Sequence, residues 1–410
     1  MKKRSNAAVT KRPPRTPQAL DLVMRLMAIP GPSGSEGLVV QFIREQLSRA
    51  GAPATAVKTD SAHRRAPEGG EVGNLILKLP GTRRAPRRFL SAHLDTVPIC
   101  VGSRPVRKKD TIVSKDTRTG LGADNRAGCA VLLNAAIDIL SQQLPHPPLT
   151  FCWFIQEEVG LQGARTATRS LWGAPQLAFN WDGGSPTKLT VGATGGYRMT
   201  IDVCGRASHA GGAPEKGISA VTIASLAIAE LHQRGWHGDV RQNGNHGTSN
   251  VGVIRGGEAT NVVTDRVHVR AEARSHDPVF RKRILREIEQ AFERAAQQVR
   301  SDDGARGQVT IQSQLDYESF LLKADEPCVR HAEAAVRSIG REPECAVANG
   351  GVDANWITCH GLPSVTLGCG QKFQHTINEL LSVPEFLDAC RIGLCLATGA
   401  ENVEASLDEP

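Results

Sequence analysis

Along this chain, short apolar runs alternate with longer segments in which apolar residues recur every three or four positions. Leu75-Ile76-Leu77-Lys78-Leu79, Phe89-Leu90-Ser91-Ala92-His93 and the stretches 149–155 and 177–181 read as buried strands, and Ala127 to Leu140 as an apolar helix. Upstream, Thr16-Pro17 offers an N-cap followed by proline at N1, and Leu20, Val23, Met24 and Met27 supply one apolar helical face. Pro30-Gly31-Pro32-Ser33-Gly34 breaks that helix. Leu38, Val39, Phe42, Ile43 and Leu47 predict a second one, stopped by Gly51. This order predicts an α/β domain.

The rhythm changes near Gly195. Tyr197 to Val203 alternates like a half-exposed strand, Ile218 to Leu231 is helical, and 249–255 and 262–274 are strands. An amphipathic helix from Phe280 to Val299 and a strand at 308–313 complete a β-α-β-β-α-β order, the ferredoxin-like split unit. A helix at 326–339, a strand from Pro363 to Leu367 and a helix from Pro384 then return to the first style. The expected architecture is an α/β domain with a mixed sheet, interrupted by a small insert. Its parts are a disordered basic tail (1–15), a first portion (16–193), the insert (194–316) and a second portion (317–410).

Composition narrows the class. With 410 residues, two domains are the prior; 40% hydrophobic and 22% charged residues describe a globular chain. The net charge of +7 is concentrated locally, in Lys2, Lys3, Arg4, Lys11, Arg12 and Arg15 and again in Arg83, Arg84, Arg87 and Arg88. No nucleic-acid-binding signature accompanies these groups, so a solvated tail and loop are expected and no nucleic-acid partner. The ten cysteines form no C-x-x-C pair, and several lie inside apolar segments, which predicts reduced thiols and a cytoplasmic protein. No apolar run is long enough for a bilayer, and no apolar segment follows the basic N-terminus, so neither a membrane partner nor a secretory signal is expected.

The candidate chemistry lies where the apolar strands end. Gln156-Glu157-Glu158-Val159-Gly160 closes the run 149–155, and adjacent carboxylates tend to point to different sides. One can bind a metal while the other faces a reacting water. A lone Glu-Glu pair is more often a polar turn after a core strand. The other strand ends shift that balance. His93 and Asp95 follow the second strand with period-two spacing, Asp124 immediately precedes a helix, Asp182 ends the fourth strand, and His375 lies in the last loop. Two imidazoles and several carboxylates form a ligand set suited to zinc.

The motifs His-Leu-Asp-Thr-Val, Gly-Ala-Asp-Asn-Arg-Ala-Gly, Glu-Glu-Val-Gly, Ser-His-Ala-Gly-Gly-Ala-Pro-Glu-Lys-Gly and His-Thr-Ile-Asn-Glu occur in order over nearly all of the chain after the tail. In them the sequence resembles the peptidase T-like branch of the dinuclear zinc metallopeptidases, a family that includes aminoacylases and glutamate carboxypeptidases. The resemblance implies a zinc-peptidase-type catalytic domain with an inserted lid and dimerisation domain. It implies two zinc ions per chain, with cobalt or manganese as possible occupants. His93 and Asp182 resemble the ligands of one ion, Glu158 and His375 those of the other, and Asp124 the bridge. Glu157 resembles the general base and acid, and Asp95 the residue that orients His93. The family carries a cis peptide after the bridging aspartate, which here would involve Asn125 where many relatives have a second aspartate.

In the insert, His209 resembles the histidine that stabilises the oxyanion, usually of the partner subunit, which implies a homodimer. Asn261 and Arg274 resemble elements that hold a substrate carboxylate. Beyond the insert, Gly350 and Gly351 fit a turn where backbone approaches substrate closely. For Arg274 a salt-bridged strand residue is the plain alternative. The expected activity is hydrolysis of short peptides in the manner of a tripeptide aminopeptidase. The alternative is an N-acyl-amino-acid or carbamoyl amidohydrolase, or a carboxypeptidase, using the same metals. A non-catalytic binding protein is the reading from a different class.

Overall fold

The computed structural model describes residues 16–401. The basic tail expected at 1–15 lies outside them. The chain forms two compact units. One runs to Gly192 and continues through Leu321–Ala348 and from Val352 onward; the other comprises Ala193–Phe320 with Asn349–Gly351.

The first unit opens with helices α1 (Thr16–Ala28) and α2 (Gly37–Arg49), each burying one apolar face. Strands β1 (Val57–Thr59), β2 (Leu75–Leu79) and β3 (Arg88–His93) follow, then the hairpin β4 (Pro105–Lys108) and β5 (Thr111–Ser114). Helix α3 (Ala123–Gln142) is apolar almost all round, because it packs on β3 and against α1. Strand β6 (Leu149–Phe154) is buried at every residue, as is β7 (Leu177–Trp181); the short helix α4 (Gln162–Arg165) lies between them and β8 (Lys188–Ala193) follows.

The second unit contributes β9 (Gly195–Cys204), α5 (Ala220–Gln233), β10 (Gly238–Gln242), β11 (Asn245–Gly256), β12 (Arg266–Ser275), α6 (Pro278–Gln298) and β13 (Gln308–Tyr317). Both helices begin at side-chain caps. Ser219 accepts the N–H of Thr222, and Asp277 accepts those of Val279 and Phe280, with Pro278 at N1. The antiparallel sheet has the order β10-β11-β12-β9-β13. Without β10 this is the order of the ferredoxin-like split unit; β10 adds an edge strand that the sequence pattern did not signal, since only Val240 of its five residues is buried. The apolar sides of α5 and α6 close the core of this unit around Ile223, Ile284, Phe292 and Val269.

The chain then adds β14 (Phe320–Leu321), α7 (Pro327–Ser338), β15 (Glu344–Ala348), α8 (Ala354–Cys359), β16 (Ser364–Leu367), β17 (Gln371–Lys372), β18 (Leu380–Ser382) and α9 (Val383–Thr398), which packs on α3. The main sheet has the order β1-β2-β6-β3-β7-β16-β8-β14, with β15 joined to β8. At its centre β6, β3, β7 and β16 are mutually parallel, whereas β2 meets β6 antiparallel. Parallel register brings the C-terminal ends of β3, β6 and β7 to one sheet edge, where open α/β sheets place their ligands. Among the described residues no helix is long and apolar enough to cross a membrane. All ten cysteines are free thiols.

Candidate active site

His93 is the last residue of β3 and is 1% exposed. The Glu157-Glu158 pair forms the turn just beyond β6, and Asp182 directly follows β7. Asp124 stands in the distorted first turn of α3, at a cis peptide bond to Asn125. His375 lies between β17 and β18 with a left-handed backbone, φ 62°.

These residues converge. His93 Nε2 is 3.3 Å from Asp124 Oδ1 and 3.9 Å from both Glu157 Oε2 and Asp182 Oδ2. His375 Nε2 is 3.0 Å from Glu158 Oε1 and 3.4 Å from Asp124 Oδ2. Asp124 therefore touches both imidazoles, one with each oxygen. Two donor sets emerge around His93, one with Asp124 and Glu158 and one with Glu157 and Asp182, each within 4.8 Å.

The donor set fits divalent metal. Four carboxyl groups crowd two imidazoles, and Asp124 Oδ1 is buried without a hydrogen-bond donor. Burial first, and then the neighbouring carboxylates, raise Glu157 and Asp182 well above the usual carboxylate range. Asp124 goes the other way: burial works against its ionised form, but the His375 and His93 imidazoles outweigh it. Asp124 and then Glu158 push His375 up to about 10. Metal binding displaces such protons, and cations relieve the carboxylate repulsion that burial intensifies.

Supporting contacts explain why these side chains are held. His93 Nδ1 lies 3.3 Å from Asp95 Oδ1, leaving Nε2 to face Asp124. Asp95, fully buried, also accepts the backbone N–H groups of Glu157 (2.9 Å) and Glu158 (3.1 Å) and the Ser33 hydroxyl (2.6 Å). The Asn125 amide donates to Trp181 O at 2.7 Å and its oxygen accepts from Gln371 Nε2 at 2.8 Å, so asparagine is well matched to this position.

Three buried carboxyl groups that sequence reasoning did not single out belong to the surroundings. Glu379 accepts backbone N–H groups from Leu121 (2.8 Å), Gly122 (2.7 Å) and Asp124 (2.9 Å). Glu36 accepts the N–H of Gln156, next to Glu157. Asp353, 1% exposed, has no hydrogen-bond partner at either carboxyl oxygen. Glu36 and Asp353 lie in glycine- or proline-containing loops and Glu379 inside the last motif, and nothing local marks any of the three as buried.

The remaining candidates lie in the second unit. His209 is exposed, and its Nδ1 accepts the N–H groups of Gly211 (3.1 Å) and Gly212 (2.9 Å). With Nδ1 occupied as an acceptor, Nε2 is the ring nitrogen left to donate. Asn261 lies in the turn between β11 and β12, and its carbonyl accepts the N–H of Ala210 at 2.9 Å. Arg274 is engaged along its own strand, Nη2 to Glu272 Oε2 at 2.8 Å. The close approach at Gly351 is to a ring, since a Cβ there would lie 2.8 Å from Tyr317 Cζ; Gly350 faces open space.

Comparison with known proteins shows what the chain as a whole is similar to. Residues 191–300 match the M20 family profile described as Peptidase dimerisation domain, and residues 74–195 that of Peptidase family M28. The Bacillus subtilis protein YqjE is 35% identical over 320 residues, covering 78% of this chain and 82% of its own. A tripeptidase from Staphylococcus aureus superposes with a TM-score of 0.84 at 29% identity, over 94% of this chain and 98% of its own. Aminopeptidase PepT from Bacillus cereus does so with a TM-score of 0.80 at 29% identity, over 94% and 99%. Several further relatives, named Peptidase T or probable carboxypeptidase, align over less than two thirds of their own length.

Proposed function

We propose that this chain, which belongs to the peptidase T-like branch of the M20 metallopeptidases, is a two-zinc aminopeptidase that hydrolyses short peptides in the cytoplasm. The observation that carries the reading is the convergence of His93, Asp124, Glu157, Glu158, Asp182 and His375 at one sheet edge. His93 and Asp182 would hold one ion and Glu158 and His375 the other, with Asp124 shared between them. Zinc supplies Lewis acidity towards the scissile carbonyl and lowers the pKa of a water.

The chain's own residues do the rest. Glu157 takes the proton of the attacking water and returns it to the leaving amine; its buried, carboxylate-rich surroundings raise its proton affinity towards that task. Asp95 holds His93 by Nδ1 and keeps Nε2 directed at the centre. His209 offers an Nε2 proton to the oxyanion, from the partner chain of a homodimer built on the dimerisation domain. Asn261 and Arg274 contact the substrate carboxylate, Arg274 by exchanging its Glu272 partner, while Gly350 and Gly351 form the turn beside it.

Relatives named probable carboxypeptidase support a second reading, in which the same centre cleaves from the other end of the substrate or removes an acyl group. A panel of di- and tripeptides with free and blocked termini, together with N-acyl amino acids, separates the two. Zinc-loaded enzyme is expected to require a free N-terminus, bind two metals per chain and lose activity to chelator. Preference for N-blocked substrates would favour the second reading, and full activity at one metal would contradict the two-metal centre.

A further inference from the structure

Where β6 ends, three successive backbone N–H groups each meet a buried carboxylate. Gln156 N donates to Glu36 Oε1 at 3.0 Å, Glu157 N to Asp95 Oδ1 at 2.9 Å and Glu158 N to Asp95 Oδ2 at 3.1 Å. Gln156 has φ 52°, a left-handed conformation that residues with a Cβ rarely adopt. Its side chain is pinned as well, Nε2 donating to Gly69 O at 2.6 Å. The direction in which the chain leaves Gln156 sets where the Glu157 carboxyl can reach.

Glu36 is unusual for its position. It immediately precedes α2, where an acidic residue ordinarily caps its own helix, yet its side chain makes no capping bond. Instead the carboxyl is 0% exposed, and Oε1 accepts from Gly34 N at 2.9 Å and from Gln156 N, 120 positions further along. The second oxygen, Oε2, is buried with no hydrogen-bond partner. Burying a carboxyl with one oxygen unsatisfied is unfavourable for helix capping or packing alone.

We infer that Glu36 is a positioning residue for hydrolysis: its Oε1 holds the left-handed turn at Gln156 and thereby sets the Glu157 carboxyl for proton transfer. The inference rests on Glu157 being the general base. What Glu36 supplies is an acceptor oxygen at the right reach. Burial, and then the Asp95 carboxylate, push its pKa up to about 7, so a neutral amide imitates it near neutral pH.

The test uses full-length, zinc-loaded enzyme and an unblocked tripeptide. Glu36→Gln keeps the oxygen and the reach, and its kcat is expected within about threefold of the parent enzyme. Glu36→Asp keeps the charge but is one methylene short; its kcat is expected to fall about 10- to 100-fold with KM and metal content unchanged, as for a displaced catalytic group. In a Glu157→Gln background, Glu36→Asp is expected to cost less than about twofold more, because residues acting through one another are not additive. The reverse pattern, an active Glu36→Asp and an impaired Glu36→Gln, overturns the inference. So does full additivity in the double variant, or a kcat loss that follows lost metal. Should Glu36→Asp fail to fold, a folded Glu36→Gln with lost kcat still overturns it. Normal turnover in Glu157→Gln alone removes the base assignment, and this inference with it, whatever the Glu36 variants do.

Discussion

Glu379 accepts the backbone N–H of Asp124 at 2.9 Å across 255 positions of sequence. With its bonds from Leu121 and Gly122, this carboxylate ties the loop that carries His375 to the helix start that carries Asp124. The two proposed ligands that meet at 3.4 Å thus share one anchor. Glu379→Leu leaves three N–H groups without their acceptor and frees both ligands to drift. Zinc affinity is expected to fall about 10- to 100-fold, the usual scale for losing a ligand's support. Elemental analysis after dialysis against a zinc buffer, with circular dichroism to confirm folding, measures it. Unchanged affinity would show that the ligands hold their places alone.

Glu157 and Glu158 are neighbours in sequence and are expected to fail differently. Glu158 Oε1 lies against His375, whereas the Glu157 carboxyl lies on the His93 side, 3.9 Å away. Glu157→Gln removes a base and should lower kcat by at least about 100-fold while both metals stay. Glu158→Gln should weaken one metal. Near-normal turnover in the first variant, or equal metal loss in both, would show that the roles are wrongly assigned.

How much of this was legible beforehand depends on where the chemistry sits relative to the apolar runs. His93 ends β3, Asp182 directly follows β7, and Glu157 and Glu158 come shortly after β6; all residues of these strands are buried, so the pattern that marks the strands also marks these residues. Glu36 lies in a Pro-Gly-Pro-Ser-Gly-Ser loop before an amphipathic helix, where an acidic residue reads as a solvent-facing helix start. Nothing local indicates that its carboxyl turns inward to Gln156. The same holds for Glu379, whose partners are backbone amides far away in sequence. The hairpin Pro105–Lys108 and Thr111–Ser114 carries no sequence signal for a different reason: only Ile112 of its eight residues is buried, so no alternation appears.

Asp353 is expected to make stability depend on pH. Burial, which outweighs the nearby His93 imidazole, raises its pKa from 3.8 to about 7. The folded chain therefore binds this proton more tightly than the unfolded chain does. The contribution to stability is fully present below about pH 4 and is lost as pH rises through about 7. At about 1.4 kcal/mol per pH unit, the loss is on the order of 4 kcal/mol at most. In chelated protein, Asp353→Asn should flatten this fall, so the variant gains on the parent between pH 5 and pH 8. Urea midpoints at both values measure it, and parallel profiles would contradict the assignment.

His209 carries the last prediction, that the active site is completed by a second chain. The residue lies outside the unit that holds the proposed metal ligands, in a segment that matches a peptidase dimerisation domain. Its imidazole is prepared as a donor, since two glycine N–H groups occupy Nδ1 and leave the proton on Nε2. A two-fold interface exchanges equivalent contacts, so each chain can lend its His209 to the other's site. Loss of an oxyanion donor typically costs 10²–10³ in kcat. His209→Ala should therefore lose turnover by about that factor while keeping its metals. Mixing it with Glu157→Gln under conditions of subunit exchange should restore part of the activity, because some heterodimers then combine an intact base with an intact donor. Full activity of a monomer in sedimentation, or no recovery in mixtures shown to have exchanged, would place the donor elsewhere.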